Sequence, residues 1–506
     1  MTTPLFTVPA LDPSAKRGGE MDAVGARAWI AELSLGEPGR VCQSLVRALV
    51  LLNRFPERAA TRAEILAEYR VPCARLIHLA RDEVDAPTSG ELRQLMIEMA
   101  YGYKRLVNEI MAQSGWLQNR QRLLTSLYFA AKYLSLEMFF AFEEYDTQIT
   151  DSWRELLALY RNAEREQLHE TQVEDPDIKD GAWGTIAHQV KRIFLLRLLD
   201  PARLVPGEAR ACFDYFDTHA DAATVEPLDQ NAGPGGRFVL DLEGRVGSLP
   251  LADSDTPQDP ARFRFFNVLG ISRQVHLDLK RISELGTPYI LDIPPLPGVS
   301  VEQLLMRMLV AWHTRPERRS PREPCETWIR FWAGLGLVSQ WLDGVASGSG
   351  PGVLDAGADQ QALQLNWSVG GCCVQLDTET ATATQVGQVV LMKEQQPGGV
   401  RDWQVGIVRH LRQVEPERQV VGVQFVRGVV KPIAVRIRGN ANTFPALWIY
   451  RPDRLSASSI LVSPGISRPG REFLVPQGEP AAVIAVDQLV ESTPSFDRFR
   501  FQVKSR

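Results

Sequence analysis

Residues 364–377 read Gln364-Leu365-Asn366-Trp367-Ser368-Val369-Gly370-Gly371-Cys372-Cys373-Val374-Gln375-Leu376-Asp377. The stretch is two strand-like runs, Gln364–Ser368 and Cys372–Asp377, parted by a glycine pair. Along a strand, residues two apart face the same side. Asn366 and Ser368 therefore present an amide and a hydroxyl to one surface, and Trp367 and Val369 face the other. Gly370 and Gly371 permit a positive φ, a bulge or a close backbone approach to a ligand. A polar strand face ending in glycines suits the floor of a nucleotide site. The plainer reading is an exposed strand face with a bulge.

Strand-like runs continue on both sides. They fall near Trp328–Phe331, Val386–Lys393, Trp403–Gln413 and Gln419–Arg427, with turn signals at Gly398-Gly399 and Glu415-Pro416-Glu417. Several short strands separated by turns predict a small antiparallel barrel. Trp367 and Trp403 are expected in its core. Gly344 to Gly357, rich in Gly, Ser and Pro, predicts a mobile loop, preceded by a short helix at Leu337–Leu342. From Ala446 onward the pattern stays strand-like, either extending the barrel or forming a further β unit.

Just upstream stands Arg315-Pro316-Glu317-Arg318-Arg319-Ser320-Pro321-Arg322, with four arginines among eight residues. The prolines deny a continuous helix, so the guanidinium groups can surround an anion instead of lining one face. Arginine's planar fork binds phosphate bidentately and matches the O6/N7 edge of guanine. A solvated linker is the alternative.

The two clusters together resemble the PilZ family, whose signature is RxxxR in a loop followed by [D/N]xSxxG on an early barrel strand. Arg318-x-x-x-Arg322 fits the first part, and Asn366-x-Ser368-x-x-Gly371 fits the second. Arg315-x-x-x-Arg319 fits RxxxR as well, so two registers stay open. Val421-Gly422-Val423-Gln424-Phe425 is similar to the late strand of such barrels. The resemblance covers about residues 311–438. It implies a six-stranded barrel in a bacterial second-messenger receptor that binds cyclic di-GMP, often as an intercalated dimer. On this sequence it implies that Arg318 and Arg322 grip phosphate and the guanine edge. It also implies that Arg319 and Arg315 meet a second ligand molecule, that Asn366 bonds a guanine and Ser368 a phosphate oxygen, and that Gly371 leaves room for the ligand. The interval from Arg322 to Asn366 is longer than the family's, which the loop at 344–357 explains as an insertion.

Toward the N-terminus the pattern is helical from about Asp22 to Phe216. Leu45, Leu49 and Leu52 recur at helical spacing, as do Met96, Met99, Tyr103, Val107 and Ile110. Pro38, Pro56 and Pro72 fall where helix starts or breaks are expected. Leu123–Phe142 is long and apolar, but Lys132 and Glu137 within it are costly in lipid, so it reads as the central helix of a bundle. The loop Gln230–Gly236 ends the helical pattern. Strands are expected at Arg237–Leu242 and across Arg262–Leu279, and a helix at Val301–His313. The expected fold class is multidomain α+β: a flexible N-terminus (1–20), an all-α domain (21–222), a mixed α/β connector (223–310), the PilZ-like antiparallel β-barrel (311–438) and a C-terminal β extension (439–506).

The 506 residues suffice for about three domains. A net charge of −5 provides no global field for duplex nucleic acid or an anionic membrane, so any anion site is local. The six cysteines have no zinc spacing, and no metal or cofactor is expected. Cys372 and Cys373 read as strand neighbours facing opposite sides. The start, Met-Thr-Thr-Pro-Leu-Phe, has no signal-peptide pattern, so a cytoplasmic protein without a membrane span is expected. Gly334-Leu335-Gly336 is an incomplete dinucleotide fingerprint, and His169-Glu170 lacks the second histidine of a zincin motif. With no catalytic constellation evident, the leading expectation is a non-enzymatic receptor that changes domain packing or partner binding on ligand capture. The helical region would meet the protein partner. The alternatives are a degenerate PilZ-like scaffold without nucleotide binding and an RNA-binding barrel.

Overall fold

The computed structural model describes residues 5–12, 14, 22–33, 37–80, 86–113, 119–146, 148–177, 183–228, 235–244, 249–250, 259–287, 291, 293, 299–314, 320–347, 360–377, 384–394, 403–415, 417–450, 458–476 and 482–504. The chain divides into two compact units, residues 1–144, 148–198 and 212–278 in one, and 145–147, 199–211 and 279–506 in the other.

In chain order the helices of the first half are α1 (Ala23–Glu32), α2 (Pro38–Arg54), α3 (Ala59–Leu79), α4 (Ser89–Met111), α5 (Arg120–Glu143), α6 (Thr150–Arg165), α7 (Ile186–Leu198) and α8 (Glu208–His219). The start of α4 is fixed by a capping box. Thr88 Oγ1 accepts from the Glu91 amide, and a Glu91 carboxylate oxygen accepts from the Thr88 amide at 3.0 Å. Helix α5 is buried along nearly its whole length, as the apolar run predicts. The two charges within that apolar run, Lys132 and Glu137, are neutralised inside the bundle. Lys132 Nζ donates to both oxygens of the fully buried Asp175 and to Asp177 at 2.9 Å, and Glu137 accepts from Arg93 at 2.8 Å. Among the described residues no helix is long and apolar enough to cross a membrane.

Two expectations fail in this half. Pro72 lies inside α3. It forfeits one bond of the helix ladder, but the buried side chains of Tyr69, Cys73 and Leu76 on either side hold the helix in the core. Residues 5–12 do not fray. Phe6 is buried, and its backbone is clamped by Asn108, which accepts from the Phe6 amide at 3.1 Å and donates to its carbonyl at 2.9 Å.

Strands β1 (Val173–Glu174) and β2 (Trp183–Gly184) form a short antiparallel ribbon. Strands β3 (Thr224–Glu226), β4 (Arg237–Asp241), β5 (Leu249–Pro250) and β6 (Phe263–Asn267) form a sheet in the order β3-β6-β4-β5. The strand pattern expected across 262–279 stops at Asn267. Its side chain caps the next helix by accepting from the Leu269 amide, and α9 (Leu269–Leu285) follows. Buried Ile271, Val275 and Ile282 recur there at helical spacing. Helix α10 (Val301–His313) lies where the sequence places one.

The second unit contains two closed six-stranded antiparallel barrels. The first is built from β7 (Glu323–Ala333), β8 (Gln360–Ser368), β9 (Gly371–Asp377), β10 (Val389–Glu394), β11 (Trp403–Glu415) and β12 (Arg418–Phe425), with α11 (Leu335–Ala346) after β7. The second comprises β13 (Val429–Ile437), β14 (Thr443–Tyr450), β15 (Ser459–Val462), β16 (Glu472–Val475), β17 (Ala482–Ser492) and β18 (Asp497–Lys504). The barrel span expected to run to 438 thus ends near Phe425, because β13 pairs with β14 and β16 of the second barrel. The strand-like tail is that second barrel. Most of the predicted loop 344–357 lies outside the described residues.

The two barrels share apolar packing. Trp332, Trp341 and Leu391 belong to one buried cluster with Val430, Leu447, Ile449 and Phe496. Arg409 of β11 pairs with Glu491 of β17, and the Thr493 hydroxyl donates to the Gly387 carbonyl at 3.1 Å.

Candidate functional site

The interior of the first barrel is filled. Ile329, Phe331, Cys372, Val374, Val408 and Val423 are among the side chains packed there, so a ligand can meet this barrel only on its outside.

The strand registers define that outer face. Asn366 of β8 lies opposite Cys373 of β9, Cys373 opposite Gly422 of β12, and Gly422 opposite His410 of β11. One cross-strand row therefore reads Asn366, Cys373, Gly422, His410. A second row begins at Ser368, which lies opposite Gly371, and Gly371 lies opposite Gln424. Gln424 Oε1 accepts from Arg409 Nε at 2.9 Å. A third runs through Gln375, Val420 and Arg412. Cys372 points into the core and Cys373 onto this face, as alternation requires. Glycine occupies the middle of two rows, which leaves a low floor between polar side chains.

Gly371 has a definite steric reason. A Cβ there would stand 2.2 Å from the Val423 carbonyl oxygen, whereas at Gly370 nothing lies within 4 Å. Neither residue has a positive φ. The motif glycine thus lets β12 approach β9. Ser368 Oγ donates to the Gly371 carbonyl at 3.0 Å, bracing the turn and keeping the hydroxyl's lone pairs for another donor. Asn366 Oδ1 is buried and has no hydrogen-bond partner among the described residues. A buried acceptor left unmet costs about 1–3 kcal/mol, so this side chain is prepared for a donor from outside.

Of the four predicted arginines, only Arg322 lies among the described residues; Arg315, Arg318 and Arg319 do not. Glu323 pairs with Trp367 and Pro324 with Asn366, so β7 enters beside the motif strand and delivers the exposed Arg322 to the end of the row at Ser368. Arg322, Asn366, Ser368 and Gly371 are therefore brought together. The Arg322 guanidinium reaches the Cys373 thiol. Burial pushes that thiol's pKa up, and Arg322 opposes the shift. The Cys372 thiol, inside the core, is pushed up to about 12 by burial. Burial lowers the His410 pKa; Asp200 opposes this, while Arg203, Arg412 and Arg322 reinforce it. His410 is therefore neutral near pH 7, and the positive charge of the face resides on arginine. Neither Arg322 nor Arg412 has an ion pair among the described residues, whereas Arg409 is held by Glu491.

Sequence reasoning missed His410, Arg412, Gln424 and Cys373 as members of this face. Their signal was present in the alternation of Trp403–Gln413 for His410 and Arg412, of Gln419–Arg427 for Gln424 and of Cys372–Asp377 for Cys373, but reading it needed the register across the strands. Trp367 was expected in the core and is 43% exposed at the barrel's end. Trp403 is half-buried against the cluster shared by the barrels, edge-on to Trp341.

Comparison with known families gives two matches. Residues 24–230 match the model described as the N-terminal domain of the cyclic-di-GMP receptor FimW, and residues 358–432 match that described as its middle PilZ domain. Together they span more than half of the chain. The second match contains Asn366, Ser368, Gly371, His410, Arg412 and Gly422; the arginine loop lies before it. No curated protein matches the chain.

Proposed function

Because the chain belongs to the FimW family of cyclic-di-GMP receptors, we propose that it captures cyclic di-GMP on the outer face of its first barrel. The observation that carries this reading is the juxtaposition of Arg322, which has no carboxylate partner among the described residues, with Asn366 Oδ1, an acceptor unmet among them, across a glycine floor. In this reading Arg322 grips a phosphate and the Hoogsteen edge of a guanine. Asn366 Oδ1 accepts from a guanine N–H. The Ser368 hydroxyl turns from the Gly371 carbonyl to donate to a phosphate oxygen, and Gly371 keeps the two strands close beneath the ligand. Arg318, with Arg315 and Arg319 for a second ligand molecule, supplies the remaining cations. The ligand is bound and not transformed. The protein acts as a cytoplasmic effector whose helical unit meets a protein partner, and no metal or further cofactor enters the reading.

Calorimetric titration with cyclic di-GMP, with GTP and GMP as controls, tests it. We expect saturable binding of cyclic di-GMP that weakens as salt rises. Replacing Arg322 with alanine should weaken it about 10- to 100-fold, the range for loss of charge-assisted hydrogen bonds. A stoichiometry near two per chain would assign a second molecule to Arg315 or Arg319. Absence of both binding heat and thermal stabilisation would leave the barrel as a scaffold.

A further inference from the structure

Helices α3, α4 and α5 do not close completely on one another. Ala63 and Ala67 on α3, Leu106 and Ile110 on α4, and Phe129 on α5 line a mostly apolar cavity of about 200 Å³. The alanines stand four apart, so α3 turns a face of small side chains toward the gap. Such a volume exceeds that of an engineered cavity known to hold benzene, about 150 Å³. Arg70, also from α3, lines the same cavity. Its guanidinium carbon lies 4.2 Å from the Phe129 ring centroid. Its Nε is buried with no hydrogen-bond partner, and it has no ion pair among the described residues.

Among the described residues Arg70 has no anion, in contrast to several charges inside the bundle. Lys132 has Asp175 and Asp177, Glu137 has Arg93, and Lys104 has Glu155. The accessible lining is mostly apolar, although Gln113, Asn119, Arg122 and Ser126 also contribute to it. A group that satisfies both features carries one negative charge on an apolar body of roughly ten non-hydrogen atoms.

We infer that this cavity in the helical unit is a binding site for a small apolar carboxylate, with Arg70 as its anchor. The carboxylate takes the guanidinium fork, while the body fills the space left by Ala63 and Ala67. A free acid and the C-terminal carboxylate of a peptide ending in an apolar residue share this chemistry. The inference is independent of cyclic di-GMP capture.

The test uses the full chain and octanoate, with octan-1-ol as the neutral control, followed by saturation-transfer NMR and calorimetry. Octanoate should bind saturably at one site, at least tenfold more tightly than octan-1-ol, because only the acid forms a charge-assisted bond. Ala63→Leu and Ala67→Leu should each weaken octanoate at least tenfold, with the helical circular-dichroism signal and the melting temperature serving as the check on folding. Arg70→Met should abolish the preference for the acid while leaving the melting temperature unchanged or higher, since it removes an unmet buried donor; an arginine that merely supports the bundle would lower it. A tripeptide ending in leucine, compared with its C-terminal amide, distinguishes a chain terminus from a free acid. Equal binding of octanoate and octan-1-ol, binding unaffected by both leucine substitutions, or no saturable octanoate signal below its micelle concentration would overturn the proposal.

Discussion

Gly371→Ala and Gly370→Ala are neighbouring substitutions that should change stability in opposite directions. An alanine Cβ at 371 would stand 2.2 Å from the Val423 carbonyl oxygen, 3.2 Å from its carbon and 3.3 Å from Gln424 Cα. A close C···O contact is about 3.3 Å, so β9 and β12 must part by about 1 Å. They are hydrogen-bonded there, and the Phe425 amide also donates to the Gly370 carbonyl at 3.0 Å. Overpacking of this kind costs about 1–3 kcal/mol. The stiffer unfolded chain returns about 0.4–1 kcal/mol, leaving a net loss of roughly 1–2 kcal/mol. At Gly370 no heavy atom lies within 4 Å, so only the unfolded-state gain remains. Urea unfolding followed by tryptophan fluorescence measures both. With a slope of about 2 kcal/mol per molar, Gly371→Ala should lower the midpoint of the barrel transition by about 0.5–1 M, and Gly370→Ala should raise it slightly. A Gly371→Ala protein as stable as wild type would refute the claim that strand approach requires this glycine.

Three further outcomes are expected. Among the described residues, Lys132→Met leaves the fully buried Asp175 with the Tyr128 hydroxyl as its one side-chain donor, and should destabilise the helical unit by about 3–5 kcal/mol; a loss under about 1 kcal/mol in chemical denaturation would contradict the buried-pair assignment. His410 has a folded pKa below its unfolded value of 6.5, so the unfolded chain binds the extra proton first and stability falls as pH drops through 6.5. His410→Gln should flatten that decline in thermal melts between pH 7 and 5. His188 behaves oppositely. Burial alone would lower its pKa, but hydrogen bonds to Asp217 and Asp221 outweigh burial and raise it. Its stabilisation is full below pH 6.5 and is lost as pH rises through the folded value, so the deficit of His188→Gln should shrink in alkaline melts.

The first barrel was legible because its strands alternate and its turns carry glycine and proline. The motif residues were legible because Asn366 and Ser368 lie two apart on a strand, and the structure adds that β7 carries Arg322 to their side. What escaped reading depended on long-range pairing. Nothing local shows that Val429–Ile437 bonds to Glu472–Val475, so the boundary between the barrels could not be seen. Alternation at Arg262–Asn267 gave no warning that Asn267 caps a helix, since a capping side chain looks like any strand-end polar residue. The glycine at 371 was read as space for a ligand, and the backbone that occupies that space belongs to a strand some fifty residues away.

The apolar cluster shared by the two barrels has a consequence for synthesis of the chain. Its members run from Trp332 to Phe496, so the first barrel's side of that core remains open until Phe496 is made. At translation rates of about 5–20 residues per second, the interval is roughly ten to thirty seconds. During that time Trp332, Trp341 and Leu391 have no permanent cover and are open to chaperones. The nascent ligand barrel therefore acquires its full packing only after the second barrel has emerged, and a ribosome stalled between the two would hold a receptor with its motif complete and its foundation missing.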